Sequence, residues 1–149
     1  MKILIINGPN LNLLGTREPT IYGSTTLAQI QERLQERARD LGCEVEFFQS
    51  NHEGAIVDYL QSKIGEASGI VMNPGALAHY GLSLRDCLAA LAVMGVPTVE
   101  VHISNIHARE AFRHNLVLSP VAKGVVAGLG WSGYLLALEA LVRLLQEKT

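Results

Sequence analysis

A glutamate and a histidine that could act as an acid–base pair stand two positions apart, at Glu100 and His102. The surrounding run, Thr98 to Ile103, is otherwise apolar and predicts a buried strand. Residues i and i+2 of a strand point to the same face, so the carboxylate can fix the imidazole tautomer and favour its protonated form. We therefore predict that His102 is a general acid, and the alternative is a purely structural Glu-His pair.

A second group of reactive side chains lies in the stretch Asn7 to Gly23, NGPNLNLLGTREPTIYG. Its glycines and prolines predict a long irregular loop, and such loops are usually lids or binding segments. The stretch carries an amide, a cation and a titratable phenol at Asn10, Arg17 and Tyr22. We expect a catalytic lid, although an ordered surface loop has the same composition.

Two sequence patterns favour other chemistry only weakly. His102, His107 and Glu110 lie close together, but their spacing is not that of a zinc motif, and Cys43 and Cys87 are far away. The string GLGWSG, residues 128–133, matches GxGxxG, yet no strand with an acidic residue follows it as a dinucleotide site requires. We expect no metal and no dinucleotide, and we interpret GLGWSG as a tight turn that lets the closing helix pack on the sheet.

Composition limits the classes of protein that need to be considered. The chain has 149 residues and a net charge of −2, and its lysines and arginines form no basic stripe, so nucleic-acid binding has no support. No apolar run approaches the length of a membrane span, and the opening apolar run is too short for a secretory signal. The two cysteines are expected to be free thiols. These features predict a cytoplasmic protein.

Apolar periodicity predicts strands that alternate with helices. The predicted strands are Lys2 to Ile6, Glu44 to Phe48, Gly69 to Met72, Thr98 to Ile103 and Gly124 to Ala127. The first predicted helix is capped by Ser24 or Thr25 and ends at Gly42, and the second has Ile56, Leu60 and Ile64 on a single face. A third helix is predicted over Leu82 to Met94, a short one around Ala108 to Phe112, and a closing one from Leu135 to Leu145.

This alternation predicts an α/β fold, with one catalytic domain over residues 1–149. Its expected architecture is a flavodoxin-like three-layer sandwich, in which helices cover both faces of a five-stranded parallel sheet of order 2-1-3-4-5. Ligands of such sheets bind outside the carboxyl ends of the strands. Asn7 to Asn10, Asn73 to Gly75 and His102 to Asn105 follow strand ends, although asparagine is also common there for turn formation alone. Arg113 could reach an anionic or polyhydroxylated ligand from the same rim, or could lie in solvent.

Four segments together, NGPNLNLLGTREPTIYG, NPGALAH, EVHISNIHAREAFR and LSPVAKGVVAGLGWSGYLLAL, closely resemble the type II 3-dehydroquinate dehydratase family. The resemblance implies a lyase that converts 3-dehydroquinate to 3-dehydroshikimate by anti elimination of water through an enolate. That reaction is the third step of the shikimate pathway, which leads to chorismate and the aromatic amino acids. It also implies that there is no cofactor or metal, and that the chain forms a homododecamer of four trimers.

The resemblance implies a role for each candidate residue. Tyr22 would be the base and Arg17 the cation that activates it, while Asn10 would hold a water that stabilises the enolate. His102 would protonate the departing hydroxyl, with Glu100 orienting it. The substrate-binding residues would be Asn73, Ile103 and Ser104 for the carboxylate, and His79, Arg113 and a neighbouring subunit's Asp86 for the ring hydroxyls.

The sequence departs from the family pattern on either side of His79 and after Arg113. Ala78 and Tyr80 replace small hydroxyl residues, and the run His114 to Val117 lacks one. A rival interpretation is a flavodoxin-like binding or signalling module. A phospho-receiver would need acidic residues after the first strand, and a flavin binder would need a Ser/Thr-rich loop there, but this chain has asparagine, proline and leucine.

Overall fold

A parallel five-stranded sheet of order β2-β1-β3-β4-β5 forms the centre of the computed structural model, which describes residues 1–148. The strands are β1 (Lys2–Asn7), β2 (Glu44–Gln49), β3 (Gly69–Asn73), β4 (Thr98–His102) and β5 (Gly124–Ala127). The helices are α1 (Pro19–Tyr22), α2 (Leu27–Leu41), α3 (Glu53–Ser62), α4 (Leu82–Val93) and α5 (Ser132–Glu147). The predicted fold and strand order are confirmed.

Alternate side chains of the central strands enter two separate cores, one on each face of the sheet. Ile3 and Ile5 of β1 pack in the core that includes residues of α2 and α5. Leu4 and Ile6 pack in the core that includes residues of α3 and α4. Since both faces of β1 are covered by helices, an uninterrupted apolar run is the sequence that suits this strand.

Several boundaries differ from the sequence predictions. The segment expected to be wholly irregular contains a 3-10 turn at Leu11–Leu13 and the short helix α1, in which Tyr22 lies. Helix α2 is capped by Thr26 rather than by Ser24 or Thr25, because Thr26 and Gln29 form a reciprocal capping box. Gly42 ends α2 as expected, with the positive φ of 70° that suits glycine.

Two further predictions about helices are wrong. Ile64 follows α3 instead of extending its buried face, and it is half exposed. The short helix expected around Ala108 to Phe112 is instead a pair of 3-10 turns, Ile106–Ala108 and Ala111–His114. Arg109 and Glu110 lie in the break between these turns. Consequently the Arg109 side chain is set by loop geometry and not by helical spacing.

The carboxyl ends of β1 and β3 lie side by side, with Asn7 in register with Asn73. The loops that leave these strands also touch, since a Cβ atom on Gly8 would lie 2.2 Å from the carbonyl oxygen of Pro74. Only glycine permits this approach, and the Gly8 N–H donates to the Asn73 carbonyl at 2.8 Å. The edge where the candidate residues gather is therefore tightly packed.

The structure also bears on membrane association. Within residues 1–148, no helix combines the length and the apolar character that crossing a membrane would require.

Candidate active site

All the predicted site residues except Glu100 and Asp86 line one cavity at the carboxyl edge of the sheet. Those lining it are Asn10, Arg17, Tyr22, Asn73, His79, His102, Ile103, Ser104 and Arg113. They come from the loop after β1, from the end of β3 and the turn after it, and from the end of β4 and its following turns. The structure therefore brings the lid residues and the strand-end residues into one site.

Two arginines surround Tyr22. The guanidinium carbon of Arg17 lies 4.5 Å from the centroid of the Tyr22 ring, and that of Arg109 lies 5.1 Å away. Only Arg109 reaches the hydroxyl, to which its Nη1 donates at 2.8 Å; the same nitrogen lies 3.2 Å from Ser104 Oγ. The Tyr22 hydroxyl is therefore bonded to a cation inside the cavity.

His102 is held from behind by a carboxylate whose two oxygens both accept hydrogen bonds. Its Nε2 donates to Glu100 Oε1 at 2.8 Å, and Ser119 Oγ donates to Glu100 Oε2 at 2.5 Å. Glu100 is 1% exposed, and His102 is also buried. Among residues 1–148, the His102 Nδ1 has no hydrogen-bond partner, so this nitrogen is the one left for a ligand. The predicted pairing of Glu100 with His102 is confirmed.

The Asn73 side chain belongs to a buried chain of hydrogen bonds. Its Nδ2 donates to the Tyr134 hydroxyl at 2.8 Å, and that hydroxyl donates to Asn7 Oδ1 at 2.6 Å. Its Oδ1 accepts from the Gly75 N–H at 3.2 Å. The Asn73 amide is thus fixed at both ends while it lines the cavity.

His79 and Arg113 form another part of the wall. The His79 ring Nδ1 lies 2.9 Å from the Asn115 carbonyl oxygen, and since a carbonyl can only accept, Nδ1 carries the hydrogen. Burial lowers the pKa of His79, and the nearby charge of Arg113 lowers it further. The hydrogen bond to the Asn115 carbonyl opposes this shift. A neutral ring keeps Nε2 as an acceptor. Arg113 is oriented by Glu110, because the Arg113 Nε lies 2.5 Å from Glu110 Oε2.

Two of the predicted residues lie outside the cavity wall. Glu100 does not line the cavity, but it is hydrogen-bonded to His102, which does. The Asp86 side chain is 80% exposed on α4, and its carboxylate lies 3.4 Å from the Arg85 guanidinium. Asp86 of this chain therefore does not contribute to this cavity.

The glycine-rich string after β5 supports the loop that follows β4. The N–H groups of Gly128 and Gly130 donate to the carbonyls of His102 and Ile103, at 3.2 and 3.1 Å. Both glycines have positive φ, 85° and 64°, which explains their residue type. Gly133 then packs α5 closely on Val126 and Val101. The interpretation of GLGWSG as a tight structural turn is confirmed.

Sequence reasoning did not assign a role to three residues that this site uses. Arg109 lies between two 3-10 turns, Ser119 begins the 3-10 turn Ser119–Val121, and Tyr134 lies among the apolar residues of α5. Their contacts span 87, 19 and 61 residues, to Tyr22, Glu100 and Asn73 respectively. Local periodicity holds no signal for such contacts; the one hint is a tyrosine hydroxyl in the otherwise apolar buried stripe of α5.

The structure bears on metal binding as well. Residues 1–148 contain no group of three or more histidine, cysteine, aspartate or glutamate side chains arranged to hold a metal ion. Cys43 and Cys87 are free thiols, as expected.

Comparison with known proteins points to one family. Residues 1–142 match the family model described as dehydroquinase class II. The 3-dehydroquinate dehydratase of Herpetosiphon aurantiacus is 58% identical over 139 residues, which are 93% of this chain and 94% of that protein. The 3-dehydroquinate dehydratase of Roseiflexus castenholzii is also 58% identical, over 142 residues that cover 95% of this chain and 88% of that protein.

Solved structures agree with this assignment. The crystal structure of a type II dehydroquinase from Butyrivibrio crossotus superposes with a TM-score of 0.90 at 47% identity, covering 95% of this chain and 97% of that one. The type II dehydroquinase from Propionibacterium acnes gives a TM-score of 0.89 at 44% identity, with coverage of 95% and 96%. Fold and sequence thus agree, and the chain belongs to the class II dehydroquinase family.

Proposed function

We propose that this protein is a hydro-lyase that converts 3-dehydroquinate to 3-dehydroshikimate, the third step of the shikimate pathway toward chorismate and the aromatic amino acids. One observation carries the proposal: a tyrosine hydroxyl bonded to a guanidinium shares a cavity with a histidine backed by a buried carboxylate. A base and an acid on one cavity are what an elimination of water needs. The relatives named above carry the same activity in their names.

In the first step, Tyr22 removes a proton from the carbon next to the substrate ketone. Arg109, at 2.8 Å from the hydroxyl, stabilises the phenolate that acts as the base. Arg17 lies over the ring face and adds a second positive charge close by. Closure of the lid over substrate excludes water, and charge interactions are stronger in such a site than at an open surface.

Proton removal leaves an enolate, whose negative charge needs donors in place before it forms. Asn10 holds the water that donates to the enolate oxygen. This residue adopts a left-handed φ of 69°, and its backbone N–H donates to Asn51 Oδ1 at 3.0 Å, so the turn that presents it is fixed. Asparagine tolerates this conformation better than most residues.

In the second step, His102 gives a proton to the departing hydroxyl. Since Nε2 is occupied by Glu100, the proton leaves from Nδ1, and the carbon–oxygen bond breaks as the enolate electrons form the new double bond. The hydroxyl departs as water. Glu100 stabilises the imidazolium before the transfer, and solvent returns the proton from Tyr22 to His102 through the opened lid.

The remaining cavity residues hold the substrate. The Asn73 amide and the backbone of Ile103 and Ser104 bind the carboxylate, while His79 and Arg113 bind ring hydroxyls. Asp86 of a neighbouring subunit completes the site in a homododecamer of four trimers. The exposure of Asp86 on α4, close in sequence to the exposed Leu82, Val93 and Met94, supports its use at a contact between copies. Light scattering measures the assembly mass, and a monomer would contradict this part of the proposal.

Purified protein should convert 3-dehydroquinate to 3-dehydroshikimate without any added cofactor or metal. The product is an enone, so its ultraviolet absorbance reports the reaction directly. The assay should give the same rate with and without a strong chelator, because the proposed chemistry uses side chains alone. Absence of the absorbance rise would overturn the proposed activity, and a rate abolished by the chelator would overturn its cofactor independence.

Replacing Arg109 with glutamine should lower kcat by about 100-fold, because the charged donor to the Tyr22 hydroxyl is lost. KM should change less, and Arg109→Lys should recover part of the rate by restoring a cation. Steady-state kinetics measure both parameters. The control is Arg37→Gln, which breaks a surface pair with Glu139 far from the cavity and should leave kcat unchanged. An Arg109→Gln enzyme with the parent kcat would remove Arg109 from the mechanism.

A further inference from the structure

A wholly buried tyrosine lies behind the cavity wall. Tyr134 of α5 is 0% exposed, and its ring belongs to the same core as Val71 and Val101. Phenylalanine would fill nearly the same space in this core, and burying a hydroxyl is costly unless it is hydrogen-bonded. Both contacts of the hydroxyl go to strand-end amides, those of Asn7 and Asn73. The hydroxyl therefore serves the polar edge of the sheet rather than the core around it.

The hydrogen bonds of Tyr134 have a fixed direction. Its single hydrogen is donated to Asn7 Oδ1, so toward Asn73 its oxygen can only accept. Burial raises the pKa of the Tyr134 phenol, so the hydroxyl keeps that hydrogen. Asn73 must then turn its NH₂ group toward Tyr134 and its carbonyl oxygen toward the Gly75 N–H. If the Asn73 amide were flipped, its oxygen would face the Tyr134 oxygen and its NH₂ group would face the Gly75 N–H, so both hydrogen bonds would be lost.

We infer that Tyr134 is a positioning residue for the reaction, which sets the orientation in which the Asn73 amide meets the substrate. With one N–H and one lone pair occupied, Asn73 presents its second N–H as the donor available to a bound carboxylate. Without the Tyr134 hydroxyl, only the 3.2 Å contact from Gly75 distinguishes the two amide orientations. The inference rests on the proposed function, because it takes Asn73 as a substrate contact.

The kinetic test is a double-mutant cycle between Tyr134→Phe and Asn73→Ala. Tyr134→Phe should lower kcat/KM by about tenfold, mainly through KM, since a buried partner is left unpaired and the amide can turn away. If Tyr134 acts through Asn73, the double variant should be no worse than Asn73→Ala alone. Effects that multiply in the double variant would overturn the inference, as would an Asn73→Ala enzyme with the parent kcat/KM.

Two further variants separate positioning from a general loss of stability. Tyr59→Phe also removes a tyrosine hydroxyl with a polar partner, Glu46 Oε1 at 2.5 Å, but at a place far from the cavity. It should lower the melting temperature and leave kcat/KM unchanged. Asn7→Ala removes the acceptor of the Tyr134 hydroxyl, which is the other end of the same chain of hydrogen bonds. It should give a smaller loss of kcat/KM that again does not add to Asn73→Ala, and it decides the question if Tyr134→Phe does not fold.

A crystal structure of Tyr134→Phe without substrate gives a readout independent of activity. The Asn73 side chain should rotate or occupy two conformers, with new partners for its NH₂ group. An Asn73 that keeps its conformation and its contact with Gly75 would overturn the inference even if the kinetics changed. If the parent protein fails to turn over 3-dehydroquinate, the proposed function fails, yet this structure still shows whether Tyr134 orients Asn73.

Discussion

Replacing Tyr22 with phenylalanine should lower kcat by at least about 1000-fold, while substrate binding weakens by no more than about threefold. The variant keeps the ring on which the Arg17 and Arg109 guanidinium groups lie, and it removes the hydroxyl that takes the substrate proton in the proposed mechanism. The loss should therefore appear in kcat and not in KM. In the proposed division of roles, His102 protonates the departing hydroxyl in the second step, so it does not replace Tyr22 in the first.

The measurement combines the ultraviolet assay with calorimetric titration of the substrate into the variant. A matched control is Tyr80→Phe, because Tyr80 is 62% exposed and does not line the cavity. That control should retain the parent kcat. Residual activity of Tyr22→Phe within tenfold of the parent would remove Tyr22 as the base and would shift attention to the water held by Asn10.

Replacing His102 with glutamine should separate the two proton transfers. Glutamine keeps an amide donor for the buried Glu100 carboxylate but cannot deliver a proton, so elimination should slow by about 100- to 10,000-fold. Tyr22 and Arg109 are untouched, so removal of the proton next to the ketone should continue. The enolate then returns to substrate instead of losing water.

Proton NMR of the substrate in deuterium oxide tests this separation. His102→Gln should wash deuterium into the carbon next to the ketone while little product forms, and Tyr22→Phe should abolish both exchange and product. Circular dichroism controls for loss of fold, since Glu100 loses a charged partner. An exchange rate that falls together with product formation would show that His102 takes part in the first step, contrary to the proposed division of roles.

Features that depend on local sequence could be predicted. The run Thr98 to His102 is buried on both faces and holds one acidic and one basic side chain, so strand geometry alone placed Glu100 beside His102. The alternation of strands with helices limited the topology, because parallel neighbours need crossover helices. Gly42 was recognisable as a helix end because few other residues adopt its conformation.

Features that depend on competition between neighbours could not be predicted. Ser24, Thr25 and Thr26 are all suitable caps, and the choice of Thr26 depends on a reciprocal bond with Gln29. Ile64 fits the apolar spacing of α3, but the helix ends before it. In the lid, Pro19 begins a helical turn after Glu18 adopts a φ of 37°, an uncommon conformation that single-residue preferences disfavour.

The same limit applies to the site. The resemblance named Arg17 as the cation beside Tyr22, and only the break between two 3-10 turns brings Arg109 to the hydroxyl. Ser119 reaches Glu100 from the start of a 3-10 turn, and Tyr134 reaches two strand ends from a helix. Side chains proposed to contact substrate can be recognised in the sequence by their chemistry. The side chains that position them are identified only from contacts in the three-dimensional structure.

The bond between Tyr134 and Asn7 has a consequence for the order of folding, since it joins residues 127 positions apart. Such a closure is expected to be slow relative to local helix formation, and it joins α5 to the sheet edge at which β1 and β3 pair. During refolding, helical signal should therefore return before the cavity is complete. The Asn73 amide gains its two partners only once α5 has docked, so we expect recovery of activity to follow the docking of α5.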